Sequence, residues 1–108
     1  MNWPQDIAFF FGGIFLTNAI PHLVSGLMGK PFQSPFARPP GEGHSVPTVN
    51  VLWGFFNLAV GYGLTCRIGE FDLHSNENVA AFGLGILLLS LFAARHFGRL
   101  NGGNEAGK

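Results

Sequence analysis

At 108 residues the chain is about one domain long, and its formal net charge of zero argues against nucleic acid as a partner. Charged residues make up 11% of it, against roughly 25% in an ordinary soluble protein, so something other than water solvates most of its surface. The single cysteine, Cys66, excludes an intrachain disulfide.

The first element in chain order is a membrane span over residues 7–28. Trp3 and Pro4 precede it, a tryptophan suited to a membrane interface and a proline suited to a first helical turn, where its missing N–H would be unpaired anyway. Ile7 to Gly29 carries no formal charge, and Phe9, Phe10 and Phe11 set apolar groups all round the helix, which excludes the polar face of a soluble bundle. No Lys or Arg comes before Lys30, so the segment lacks the basic start of a cleaved signal peptide and reads as a retained span. Pro21 removes one backbone hydrogen bond and predicts a kink near Thr17 to Pro21, with the helix ending near Gly29. Asn18, His22, Ser25 and Gly29 follow one another at steps of four, three and four, a small and polar stripe on one face.

Residues 29–45 form a cytoplasmic connection rich in Pro, Gly and Phe, too long for a tight helix–helix turn. Pro31, Pro35 and Pro39 recur every four residues, which fits neither a polyproline II helix nor a P-x-x-P ligand. Two readings stay open. The segment lies along the membrane interface with Phe32 and Phe36 in the lipid boundary, or it is a proline-stiffened connector packed on the helix ends. Lys30 and Arg38 belong near lipid head groups in either case.

The second span, residues 46–65, carries the clearest pattern. Asn50, Gly54, Asn57 and Gly61 share one helical face, where glycines let another backbone approach and asparagines offer hydrogen bonds across the contact. Ala59 and Gly63 add a small-xxx-small pair close by. The stripe is a helix-packing seam or the polar lining of a ligand cavity. Asn18 and Asn57 fall near the same depth, so a mutual hydrogen bond would satisfy both.

Ser75 or Asn76 caps the third span, residues 78–96, with Glu77 favourable in its first turn. Apart from alanines and its ends, Gly83, Gly85 and Ser90 are its small or polar positions, so it is expected to face mostly lipid. Arg95, His96 and Arg99 close it, where cations complement the helix dipole and reach lipid head groups. The tail, 101–108, is Gly- and Asn-rich and expected to be disordered. The first loop and the tail hold five of the six basic residues, while the other side holds Arg67 with Asp6, Glu70, Asp72 and Glu77. Positive charge favours the cytoplasm, which gives an N-out, C-in topology.

His22 is the sharpest candidate for chemistry, as a metal or haem ligand, a proton carrier or a partner for a quinone. The alternative is a neutral imidazole bonded to a neighbouring helix. No H-x-x-x-H or Cys/His spacing links two ligands, so no metal site is predicted. No carboxylate lies within a span, and no catalytic residue is assigned. Asn18, His22, Asn50 and Asn57 are the candidate ligand-binding residues, Ser25, Gly54 and Gly61 the packing residues, and the cofactor stays unknown.

Residues 21–63 contain P-H-x-x-x-G, a P-F loop ending in P-P-G, and N-V-x-W-G-x-x-N. This run resembles a family of small, uncharacterised bacterial membrane proteins, which implies an inner-membrane setting and a multi-helix fold but no activity or functional residue. The fold expected is all-α, an integral membrane protein of three spans. The leading functional expectation is a non-enzymatic subunit that forms a homo-oligomer or docks onto a larger membrane assembly through the Asn/Gly seam. The alternatives are a binding module for a quinone, haem or isoprenoid between spans one and two, and then a lipid-modifying membrane enzyme.

Overall fold

The computed structural model describes residues 2–106, so Met1, Gly107 and Lys108, one of the basic residues counted in the tail, lie outside the described residues. The chain is mostly helical, at 72%. In order it forms α1 (Trp3–Leu27), β1 (Phe32–Gln33), β2 (His44–Ser45), α2 (Pro47–Tyr62), a π-helical turn (Gly63–Ile68), α3 (Asn76–Asn101) and a short 3-10 turn (Gly103–Glu105).

Local chemistry sets the helix ends. Asn2 Oδ1 accepts from the Gln5 N–H at 3.2 Å to start α1, and Pro4 in the first turn needs no partner. Gly29 ends the helix at φ 72°, a left-handed backbone that lets the Lys30 N–H reach the Ser25 carbonyl at 2.9 Å and the Gly29 N–H reach Gly26 at 3.0 Å. Between these caps α1 runs unbroken through Pro21. Pro47 occupies the first turn of α2, and Ser75 Oγ caps α3 by accepting from the Asn78 N–H at 3.2 Å.

Three helical segments are long and apolar enough to cross a membrane: 25 residues in α1, 22 in Pro47–Ile68 and 26 in α3. At about 1.5 Å per residue even the shortest reaches roughly 33 Å, more than the ~30 Å hydrocarbon core.

Helix α1 is the middle member, packed against both α2 and α3, while the two outer helices hardly touch. Glycines set both crossings. A Cβ on Gly54 would sit 2.9 Å from the Leu23 nitrogen, and one on Gly61 2.9 Å from the Leu16 nitrogen. From the other side, a Cβ on Gly26 would come within 2.7 Å of the Pro47 carbonyl. Across the second crossing, Gly85 faces the Phe10 carbonyl and Gly13 the Phe82 carbonyl with no room for a methyl group. Glycine Cα–H groups opposite carbonyl oxygens recur at helix crossings and add weak attraction to the close backbone contact.

The seam expected on α2 is therefore filled by α1 of the same chain. Ser25, also expected in packing, is half-buried on α1, whereas Ala59 is exposed and a side chain at Gly63 would meet open space. In α3 only Gly85 is buried; Ser90 is exposed and Gly83 faces open space.

The connection after α1 departs most from its expected form. Phe32 and Gln33 pair antiparallel with Ser45 and His44, and Gln33, Ser34 and Ala37 are buried. The segment is a connector folded onto the helix ends. Phe32 packs inward and Phe36 is 65% exposed, so only the second ring has the placement expected at a lipid boundary.

At its far end α3 continues to Asn101, beyond the expected stop at 96, and Gly102 terminates it at φ 81°. Asn104 Nδ2 donates back to the Arg95 carbonyl at 3.0 Å, satisfying a group that a helix terminus leaves unpaired. Residues 101–106 thus have defined structure where disorder was expected.

Contacts between distant parts of the chain sort the charges by end. The Asn2 N–H donates to Glu77 Oε2 at 3.2 Å at one end, and the connection meets the last turns of α3 at the other. Lys30, Arg38, Arg95 and Arg99 are all exposed and share that second end.

Candidate functional site

Two hydrogen-bond relays run from α2 to α1, each anchored on backbone carbonyls. In the first, Asn57 Nδ2 donates to the Trp53 carbonyl at 2.8 Å. A carbonyl only accepts, so this contact fixes the amide and turns Asn57 Oδ1 toward α1, where it accepts from Asn18 Nδ2 at 3.1 Å. The expected Asn18–Asn57 bond is thus present. It leaves Asn18 Oδ1 without a hydrogen bond among the described residues.

In the second relay, Asn50 Nδ2 donates to the Phe32 carbonyl at 3.0 Å and the Ser45 carbonyl at 3.2 Å, using both amide hydrogens. Asn50 Oδ1 is then an acceptor 2.7 Å from His22 Nδ1, so the imidazole proton sits on Nδ1. In the neutral ring Nε2 becomes a lone-pair acceptor, and it makes no hydrogen bond among the described residues. Asn50, Asn57 and His22 are all buried. Phe32, Trp53 and Phe97 meet the His22 ring edge to face, with centroids 5.5, 6.3 and 6.3 Å away. The ring's orientation is over-determined by packing and by Asn50.

Beside these relays lies a cavity of about 310 Å³. Asn18 and His22 form its α1 wall, Trp53 lines it from α2, and Phe92, His96 and Phe97 line it from α3. The connection supplies the remaining wall through Gln33, Ser34, Pro35 and Gly41. Two contacts hold that wall to α3. His96 Nε2–H donates to the Gly41 carbonyl at 2.7 Å, and Gln33 and Asn101 exchange amide hydrogen bonds at 3.1 and 3.4 Å.

Of the four candidate ligand-binding residues, Asn18 and His22 reach the cavity, while Asn50 and Asn57 stand behind them and orient them. Gly54 and Gly61 belong to the α1–α2 crossing. His96, expected beside Arg95 and Arg99 at head groups, instead turns inward: its ring stacks on Phe92 with centroids 5.5 Å apart and bonds the connection. Gln33, Ser34, His96 and Phe97 escape a reading of the sequence. Nothing in the unperiodic connection marks which side chains turn inward, and His96 sits among arginines that draw it to the surface.

A second, wholly apolar groove of about 580 Å³ is lined by Phe36, Val49, Leu52, Trp53 and Phe56. Near the other end, Thr65 Oγ1 is buried without a partner against Gly12. Among the described residues no three His, Cys, Asp or Glu side chains gather to hold a metal ion. No protein-family model, curated protein or solved structure matches the chain, so the resemblance of residues 21–63 assigns no family.

Proposed function

We propose that this chain is a non-enzymatic integral protein of the bacterial inner membrane, N-out and C-in, that binds a lipid-soluble ligand in the cavity beside His22. The observation that carries this reading is the Asn50 relay, which presents one acceptor nitrogen of a buried histidine to a cavity within the usual size range of small-ligand sites.

The accessory-subunit reading has less support, because α1 of the same chain occupies the Asn/Gly stripe through which it would dock. Assembly with other copies or a larger complex would use apolar faces outside that crossing, such as Leu84, Leu87, Leu88 and Leu91 on α3 or Leu52, Phe55 and Phe56 on α2. Lipid modification has less support, because the cavity's one hydroxyl, Ser34 Oγ, is engaged with Ser45 Oγ at 2.6 Å and the Phe36 N–H at 3.1 Å.

Solvent extraction and mass spectrometry of the full-length protein purified in mild detergent test the proposal. A single compound near one per chain is expected in the wild type, and its loss in His22→Leu. A wild-type protein that yields only bulk phospholipid would overturn it.

A further inference from the structure

We infer that the cavity selects a ligand whose head group donates a hydrogen bond, a phenol or hydroquinone rather than a quinone or another acceptor-only carbonyl; this rests on the ligand-binding reading above. The two side chains that α1 presents to the cavity each bring a free acceptor, and only Asn18 brings a donor beside it, its second amide hydrogen. His22 Nε2 is one acceptor, because Asn50 Oδ1 takes the proton on Nδ1. Asn18 Oδ1 is the other, because its amide nitrogen is turned to Asn57. They lie one helical turn apart, on the same face.

Neither polarity can be reversed by a local flip. Turning Asn50 over would point its oxygen at the Phe32 and Ser45 carbonyls, and turning Asn57 over would do the same at Trp53. A carbonyl head facing Nε2 sets lone pair against lone pair and leaves a desolvated acceptor unpaired. A hydroxyl donates to Nε2 and can still accept from the second Asn18 amide hydrogen. Of the other polar lining, Gln33, Ser34 and His96 are already bonded to Asn101, Ser45 and Gly41, and Trp53, Phe92 and Phe97 offer flat ring surface. A volume of about 310 Å³ suits one substituted ring with its chain leaving toward lipid, not a haem macrocycle.

The test is a calorimetric titration of the full-length protein in lipid nanodiscs with three probes: 4-octylphenol, its methyl ether and octyl-benzoquinone. The phenol should bind roughly tenfold more tightly than either acceptor-only probe, the effect of about one hydrogen bond. His22→Phe should erase that difference. A second readout does not depend on the variant folding: in histidine-labelled wild type, the ¹⁵N resonance of His22 Nε2 should shift with the phenol and stay in place with the ether. Ether or quinone binding as tightly as the phenol would overturn the donor inference while leaving a ligand site. Binding of none of the three would overturn the ligand-binding reading along with it.

Discussion

Asn50 ties three segments together, since its side chain bonds His22 on α1 and the carbonyls of Phe32 and Ser45 on the two short strands. Leucine at this position would leave the buried His22 Nδ1–H unpaired, at a cost of about 1–3 kcal/mol, and would also release the hold of α2 on both short strands. Asn57 has a smaller role, because the Trp53 carbonyl it bonds already lies within a helix and only Asn18 loses a partner. Asn50→Leu is therefore expected to lower the unfolding temperature in detergent clearly more than Asn57→Leu, whose interhelical bond contributes about 0.6–2 kcal/mol. Equal shifts for the two variants would show that the relays are not organised as described. The Asn18–Asn57 pair was legible because helical steps and depth alone bring the two amides together. The His22–Asn50 pair was legible only as two candidates on facing stripes. What fixes its polarity is the pair of carbonyls brought by the folded connection, and no periodicity announces those.

At the level of whole helices, the glycines divide into those that permit a crossing and those that face open space. Gly61→Leu should separate α1 from α2 within one molecule, and Gly85→Leu should separate α1 from α3, because either side chain would enter the neighbouring helix's backbone. Gly83→Leu is the control, two residues from Gly85 on a face with nothing near it. Thermal unfolding should fall for the first two variants and hold steady for the third, and a fall in the Gly83 variant would contradict the assigned face. The stripe on α2 was legible from its four-three-four spacing, as were the Ser75 cap and the Gly29 stop from their residue chemistry. Which helix would fill the stripe was not, because a seam within a chain and a seam between chains have the same residue pattern. Gly83 and Gly85 look alike in sequence; their positions around α3 differ by about 200°, and only the crossing with α1 tells them apart. The strands, two residues each, are too short for any alternation to register.

On the scale of the whole molecule, the charge asymmetry yields a topology test. A C-terminal fluorescent reporter should mature in the cytoplasm, and Cys66, exposed in the π-helical turn at the opposite end, should react with an impermeant thiol reagent from outside. Labelling of Cys66 only after the membrane is opened would reverse the proposed orientation. The Gln33–Asn101 amide pair joins positions 68 residues apart, and its consequence lies in the order of assembly. Helices α1 and α2 can meet as soon as both are synthesised, and the Asn18–Asn57 and His22–Asn50 bonds need nothing further. The cavity's last wall is completed only at the end of α3, where His96 and Asn101 add their bonds to Gly41 and Gln33 to the hold that Asn50 already has on the two strands. A nascent chain halted after the second span should therefore already protect its α1–α2 crossing from thiol probes at engineered cysteines, while Ser34 and Gly41 stay reactive when replaced by cysteine.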